Sequence, residues 1–210
     1  MSMPSSSFLS EERWLAAHFE RCQAQLFRRE IITQLISLKE LLCSTHAAGK
    51  KVIVAGNGGS AAIASHCAVD LTKQAGIRCI NFNEADLITC FANDYGYDQW
   101  VAKALACYAD CGDAVILISS SGMSPNIVNA ARYARSRALS IVTLTGFASD
   151  NALRALGQLN FWVESRVYNI VETAHQLWLL SVCDLIAEAK EPPLLASTES
   201  GASRREAVVP

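Results

Sequence analysis

A histidine and a carboxylate four residues apart, His66 and Asp70, stand on a segment that reads as a helix, so their side chains share one face. Such a pair can ligate a divalent metal ion or act as acid and base on one substrate, and it can equally be an ion pair on a solvated surface. A second polar set, Glu172, Thr173, His175 and Gln176, falls on a helical segment late in the chain. Glu172 and His175 lie one turn apart, and Glu172, Gln176 and Leu180 form a row at i, i+4 and i+8. A lone helical carboxylate is ordinarily just solvated. This one gains meaning if its helix packs over a strand end or over a neighbouring subunit's pocket. A third set, Asn93-Asp94 before Tyr95-Gly96-Tyr97, reads either as a turn or as donors and acceptors for sugar hydroxyls.

Two further stretches say what these groups would act on. Val52-Ile53-Val54-Ala55 breaks into Gly56-Asn57-Gly58-Gly59-Ser60, and a helical pattern follows from Ala61 to Lys73. Backbone N–H groups and the positive end of a helix dipole attract an anion at such a turn, while Gly58 and Gly59 permit close approach and positive φ. The motif repeats where Ala114–Ile118 runs into Ser119-Ser120-Ser121-Gly122-Met123-Ser124-Pro125-Asn126 and another amphipathic helix. Two strand-to-helix turns rich in Ser, Gly and Asn point to a phosphorylated small molecule.

The elements that must hold these turns alternate. Strand patterns at Val52–Ala55, Arg78–Phe82, Ala114–Ile118, Ser140–Leu144 and Leu159–Val163 are separated by helical patterns at Ala61–Lys73, Glu84–Ala92, Asp98–Ala109, Pro125–Ala138 and a short one at Asn151–Leu156. The alternation predicts a three-layer α/β/α sandwich on a five-stranded parallel sheet, in which ligands gather beyond the C-terminal strand ends. Helices from Ser10 and over Ile31–His46 precede it, and one over Tyr168–Ala189 closes it. Residues 1–10 read as a mobile arm, 11–190 as one domain and 191–210 as a disordered tail. The exposed-looking apolar residues Trp14, Phe19, Ile31, Leu35, Leu177 and Trp178 predict subunit packing.

Bulk properties narrow the class. A hydrophobic fraction of 51% in 210 residues supplies a substantial core, and 18 basic against 20 acidic side chains give no field for nucleic acid, which argues against it as a partner. Cys67, Cys79, Cys90, Cys107 and Cys183 lie in apolar or helical runs without paired metal spacing and read as buried reduced thiols. No leader pattern opens the sequence, and its apolar runs are too interrupted for a bilayer span, so no membrane and a cytoplasmic location are expected.

In order along residues 10–190, Gly56-Asn57-Gly58-Gly59-Ser60, Ser65-His66-Cys67-Ala68-Val69-Asp70-Leu71, Ala92-Asn93-Asp94-Tyr95-Gly96, Ile118–Asn126 and Thr143-Leu144-Thr145-Gly146 resemble the sugar isomerase (SIS) domain family. Within it they are most similar to the sedoheptulose 7-phosphate isomerases, or phosphoheptose isomerases. The resemblance implies that Ser60, Ser119, Ser121 and Ser124 hold a phosphate, Ser120 adds its backbone or hydroxyl, and Asn57 and Asp94 meet the sugar. It implies a homotetramer with active sites between subunits, no nucleotide cofactor, and aldose–ketose exchange from sedoheptulose 7-phosphate to D-glycero-D-manno-heptose 7-phosphate through an enediol.

In that family a Glu on the first-loop helix and a His on the last helix move the protons. Some members hold zinc between a His, that Glu, a Gln and that His. By resemblance His66 matches the first ligand, Asp70 stands for the Glu as base, Glu172 for the Gln and Leu180 for the His. His66, Asp70 and Glu172 are then the zinc or substrate ligands, with His175 available as acid if the helix is rotated. The alternative implied is a non-catalytic phosphosugar-binding SIS regulator or scaffold, similar to a replication-initiator-associating protein with a changed catalytic set.

Overall fold

A computed structural model describes residues 6–189. The expected residues 191–210 tail and the first five residues of the expected arm lie outside the described residues. The elements follow in the order α1 (Ser6–Leu26), α2 (Arg29–Ala47), β1 (Val52–Ala55), α3 (Gly59–Lys73), β2 (Cys79–Asn81), α4 (Ala85–Tyr95) and α5 (Trp100–Tyr108). Then come β3 (Ala114–Ser119), α6 (Pro125–Ser136), β4 (Ser140–Thr145), a 3-10 turn (Arg154–Leu156), β5 (Leu159–Trp162) and α7 (Tyr168–Glu188). Ser6–Ser10, assigned from sequence to the arm, are instead the opening turns of α1.

All pairings are parallel and the strand order is β2-β1-β3-β4-β5, with Val54 beside Ile116 and Ile116 beside Val142. The three central strands are buried on both faces, which is why they read as unbroken apolar runs. Alternate residues divide between two cores. Val52, Val54, Ile116, Ile118, Val142 and Leu144 face Leu38, Leu42, Ile63, Leu71 and Trp178 on α2, α3 and α7. Ile53, Val115, Leu117 and Ile141 face Trp100, Leu105, Ile127 and Ala131 on α5 and α6. The expected three layers follow from that period of two.

The sheet reverses its direction of growth between β1 and β3, which are neighbours although β2 separates them in sequence. A crevice opens at such a switch point because the helices after the two strands lie on opposite faces. The long helix α7 is apolar and long enough to cross a membrane by length and composition, yet half of its most apolar stretch is buried in the protein. It serves as a core helix, packed against α1, α2 and α3.

Two expectations change. Cys67 and Cys183 are buried, but Cys90 and Cys107 lie exposed on the outer faces of α4 and α5. All eight thiols are free. Ile31 and Trp178, expected to pack subunits together, are buried in the chain's own core. Apolar side chains left exposed on the terminal helices include Trp14, Leu15, Phe19, Ile32, Ile36 and Leu177.

Candidate functional site

The turn after β1 and the turn after β3 face one another across the switch point and enclose a cavity of about 290 Å³. Its walls are Asn57, Gly58, Gly59 and Ser60 from the first turn, Ile118–Ser121 and Ser124 from the second, and Tyr168 and Glu172 from α7. Two helices, α3 and α6, therefore begin at its rim, and their unpaired N–H groups and dipoles favour an anion there. All five serines of the sequence reading line it. Ser60, Ser119 and Ser120 are 3%, 4% and 5% exposed. Ser119 and Ser124 share a hydroxyl hydrogen bond of 3.0 Å, and the Ser121 hydroxyl accepts from Met123 N–H at 3.2 Å. The Ser120 hydroxyl is buried and has no partner in the protein. A buried hydroxyl without a partner is costly, so its place on the cavity wall fits a ligand oxygen.

Glycine is required here for two different reasons. A Cβ on Gly59 would stand 2.4 Å from Glu172 Oε2, so its absence lets the α7 carboxylate descend onto the start of α3. Gly122 has φ +65 and a Cβ there would stand 2.0 Å from Oδ1 of Asn151, which is 2% exposed. The two turns are also tied by a reciprocal amide pair. Asn57 Nδ2 donates to Asn126 Oδ1 at 2.9 Å and Asn126 Nδ2 donates back at 2.8 Å. Tyr97 Oη donates to the same Asn57 oxygen at 3.1 Å. Neither Asn126 nor Tyr97 is singled out by the sequence. The one available signal was an Asn in each turn.

A second cavity of about 280 Å³ adjoins the first, sharing Gly59 and Glu172 and extending along Ala62, Ile63, Thr173 and Gln176. Just beyond it stands the acid–base candidate. His66 Nε2 lies 3.3 Å from Asp70 Oδ2, and His66 Nδ1 lies 3.3 Å from Gln176 Nε2. His66 comes seven residues after Gly59, hence about 10 Å farther along the helix. A cavity of about 310 Å³ lies at the opposite end of the sheet, beside Asp110, Tyr133 and Arg137, away from both serine turns.

Several candidates occupy other places. The expected zinc ligands divide: His66 and Asp70 pair, while Glu172 lies against Gly59 at the serine-turn end. Among the described residues no three His, Cys, Asp or Glu side chains gather as around a metal ion, so the residues of one chain do not fit zinc. His175 is fully buried and its Nε2 donates to the Thr145 carbonyl at 3.0 Å, so it is not a free acid in the cavity. Burial pushes its imidazole down to about 4, against the opposing hydrogen bond to Thr145. Asn93 and Asp94 are not in a turn; α4 runs on to Tyr95 and ends at Gly96, φ +81. Both are exposed and hydrogen-bond each other, and neither lines the cavity.

The fold and the paired turns define a doubly wound α/β domain with a serine-lined cavity at its switch point. A family model described as the SIS domain matches residues 18–146, and the chain belongs to that family. It is similar to the phosphoheptose isomerase of Geobacter sulfurreducens, 31% identical over 174 residues covering 80% of this chain and 92% of the relative. The phosphoheptose isomerase of a Roseiflexus species is 31% identical over 195 residues, 89% of this chain and 96% of the relative. Among solved structures, the phosphoheptose isomerase of Neisseria gonorrhoeae superposes with a TM-score of 0.76 at 26% identity, over 83% of this chain and 98% of that one.

Proposed function

We propose that the protein is a phosphosugar aldose–ketose isomerase that interconverts sedoheptulose 7-phosphate and D-glycero-D-manno-heptose 7-phosphate through an enediol. The observation that carries the reading is the switch-point cavity with the unpartnered Ser120 hydroxyl in its wall. The relatives named phosphoheptose isomerase support the choice of sugar. The phosphate rests on Ser60, Ser119, Ser120, Ser121 and Ser124, and the carbon chain extends past Asn57 and Glu172 toward His66. Asp70 removes the proton from the carbon beside the carbonyl and returns it to the adjacent carbon, as a hydroxyl proton passes between the two oxygens. No step is routed through zinc.

A homotetramer belongs to the same proposal, as does a cytoplasmic location. Exposed Trp14 and Phe19 on α1, and Val69 and Leu177 beside the His66 pair, are apolar surface that further copies of the chain would cover. A stable 22.7 kDa monomer in light scattering at micromolar concentration would reject that assembly. The isomerase reading is tested by incubating the protein with sedoheptulose 7-phosphate in deuterated water and following label at the carbon next to the carbonyl by NMR. Exchange supports the enzyme. Tight binding without exchange, with or without added zinc, would leave the regulator or scaffold reading and point to Leu180.

A further inference from the structure

His66 is held from both sides. Its Nε2 faces Asp70 Oδ2 and its Nδ1 faces the Gln176 amide, each at 3.3 Å. An ionised carboxylate only accepts hydrogen bonds, so Nε2 carries a proton. A neutral imidazole has one N–H, which leaves a lone pair at Nδ1. Only the NH₂ end of Gln176 satisfies that lone pair. The turned amide would set two acceptors against each other. For a neutral ring the two contacts therefore specify a single tautomer and a single amide orientation.

The same geometry bears on metal binding. A metal takes a histidine through a ring lone pair, and the only one on His66 is occupied by Gln176. The neighbouring positions on α7 supply no further ligand. Glu172, one turn earlier, lies against Gly59, and Leu180, one turn later, has no donor atom. The middle member of this row is the one that touches the histidine.

We infer that Gln176 is a positioning residue that locks His66 as its Nε2–H tautomer, so that a Gln176–His66–Asp70 relay takes the place of a metal ion on the α3–α7 face. His66 then steadies one Asp70 oxygen and leaves the other free. The consequence for turnover rests on the isomerase reading, whereas the tautomer and the lack of a metal do not.

The test uses the full chain labelled with ¹⁵N-histidine, whose four imidazoles are few enough to resolve by long-range ¹H–¹⁵N NMR, with His66→Gln for assignment. In wild type His66 should give the Nε2–H pattern, unchanged by one equivalent of zinc. Gln176→Leu frees the half-exposed ring to turn away from Asp70 and should show both tautomers, and the isosteric Gln176→Glu, which presents only acceptors, should move a proton onto Nδ1. In turnover, Gln176→Leu should lower kcat about 10-fold with KM unchanged, the usual order for loss of a group that orients a functional histidine. An Nδ1–H pattern in wild type, an unaltered tautomer in both variants, or zinc-shifted His66 nitrogens at one equivalent would each overturn the relay. A wild-type protein with the Nε2–H pattern and no deuterium exchange would overturn the isomerase reading alone.

Discussion

The two ends of the site are built from different materials. At the serine-turn end the groups facing the cavity are backbone N–H groups and short hydroxyls, fixed by two parallel strands and a pair of asparagines. At the α3–α7 end they are longer side chains, His66, Asp70 and Gln176, and the His66 side chain is 49% exposed. The first end is a property of the sheet's topology. The second depends on which side chains two helices bring together, so the chemistry can be altered there without disturbing the anion cradle.

Separate changes at each end should separate binding from turnover. The largest effect is expected at the helical end. Asp70→Asn keeps the side chain's size and removes its basicity, and should cut solvent-deuterium exchange roughly 10²–10⁴-fold while leaving sugar-phosphate affinity unchanged in calorimetry. If wild type and variant exchange at one rate, another group is the base and the contrast between the two ends fails.

At the cradle the opposite pattern is expected. Ser119→Ala with Ser121→Ala should weaken sugar-phosphate binding by about 2–4 kcal/mol, since each removes a hydrogen bond to a charged group. Unchanged affinity would put the ligand elsewhere.

A smaller effect tests the cradle's rigidity. Gly122→Ala forces a side chain into a positive φ and against buried Asn151, and should lower stability by about 2–3 kcal/mol in urea unfolding. A neutral result would mean that this turn yields readily.

The smallest concerns the support beneath both ends. His175 titrates at about 4 when folded and near 6.5 when unfolded, so as pH falls the unfolded chain takes the proton first. Its contribution is complete above about pH 6.5 and is lost as pH drops toward about 4, by about 1.4 kcal/mol per pH unit inside that window. His175→Gln can still donate to Thr145 and cannot titrate. Stability measured at pH 6.5 and 5.5 should therefore fall less in the variant, and an identical slope would mean that another group governs acid unfolding.

The cradle was legible in the sequence because its causes are local. Val52–Ala55 reads as a buried strand from its own residues, and Gly and Ser turns mark where it and Ala114–Ser119 end. Much of the helical end was not legible because it depends on azimuth. Adjacent residues on α7 point about 100° apart. His175 consequently faces the core while Gln176 reaches His66, and no spacing rule distinguishes the two. The end of α4 was not legible for a related reason: a glycine later than the expected boundary, Gly96, decided where the helix stops and so put Asn93 and Asp94 inside it. The separation of Glu172 from His66 and Asp70 needed the packing of α3 on α7, which no single segment encodes.

The position of α7 also has a temporal meaning. Translation delivers all five strands and both serine turns before Tyr168 emerges, yet Glu172, Gln176 and His175 belong to this last described helix. A nascent chain halted before α7 carries the turns without their roof and leaves Leu38, Ile63 and Leu71 without the Trp178 side of their core. Such an intermediate exposes the kind of apolar surface that chaperones bind. Completion of the fold and completion of the cavity thus coincide, since both wait for α7.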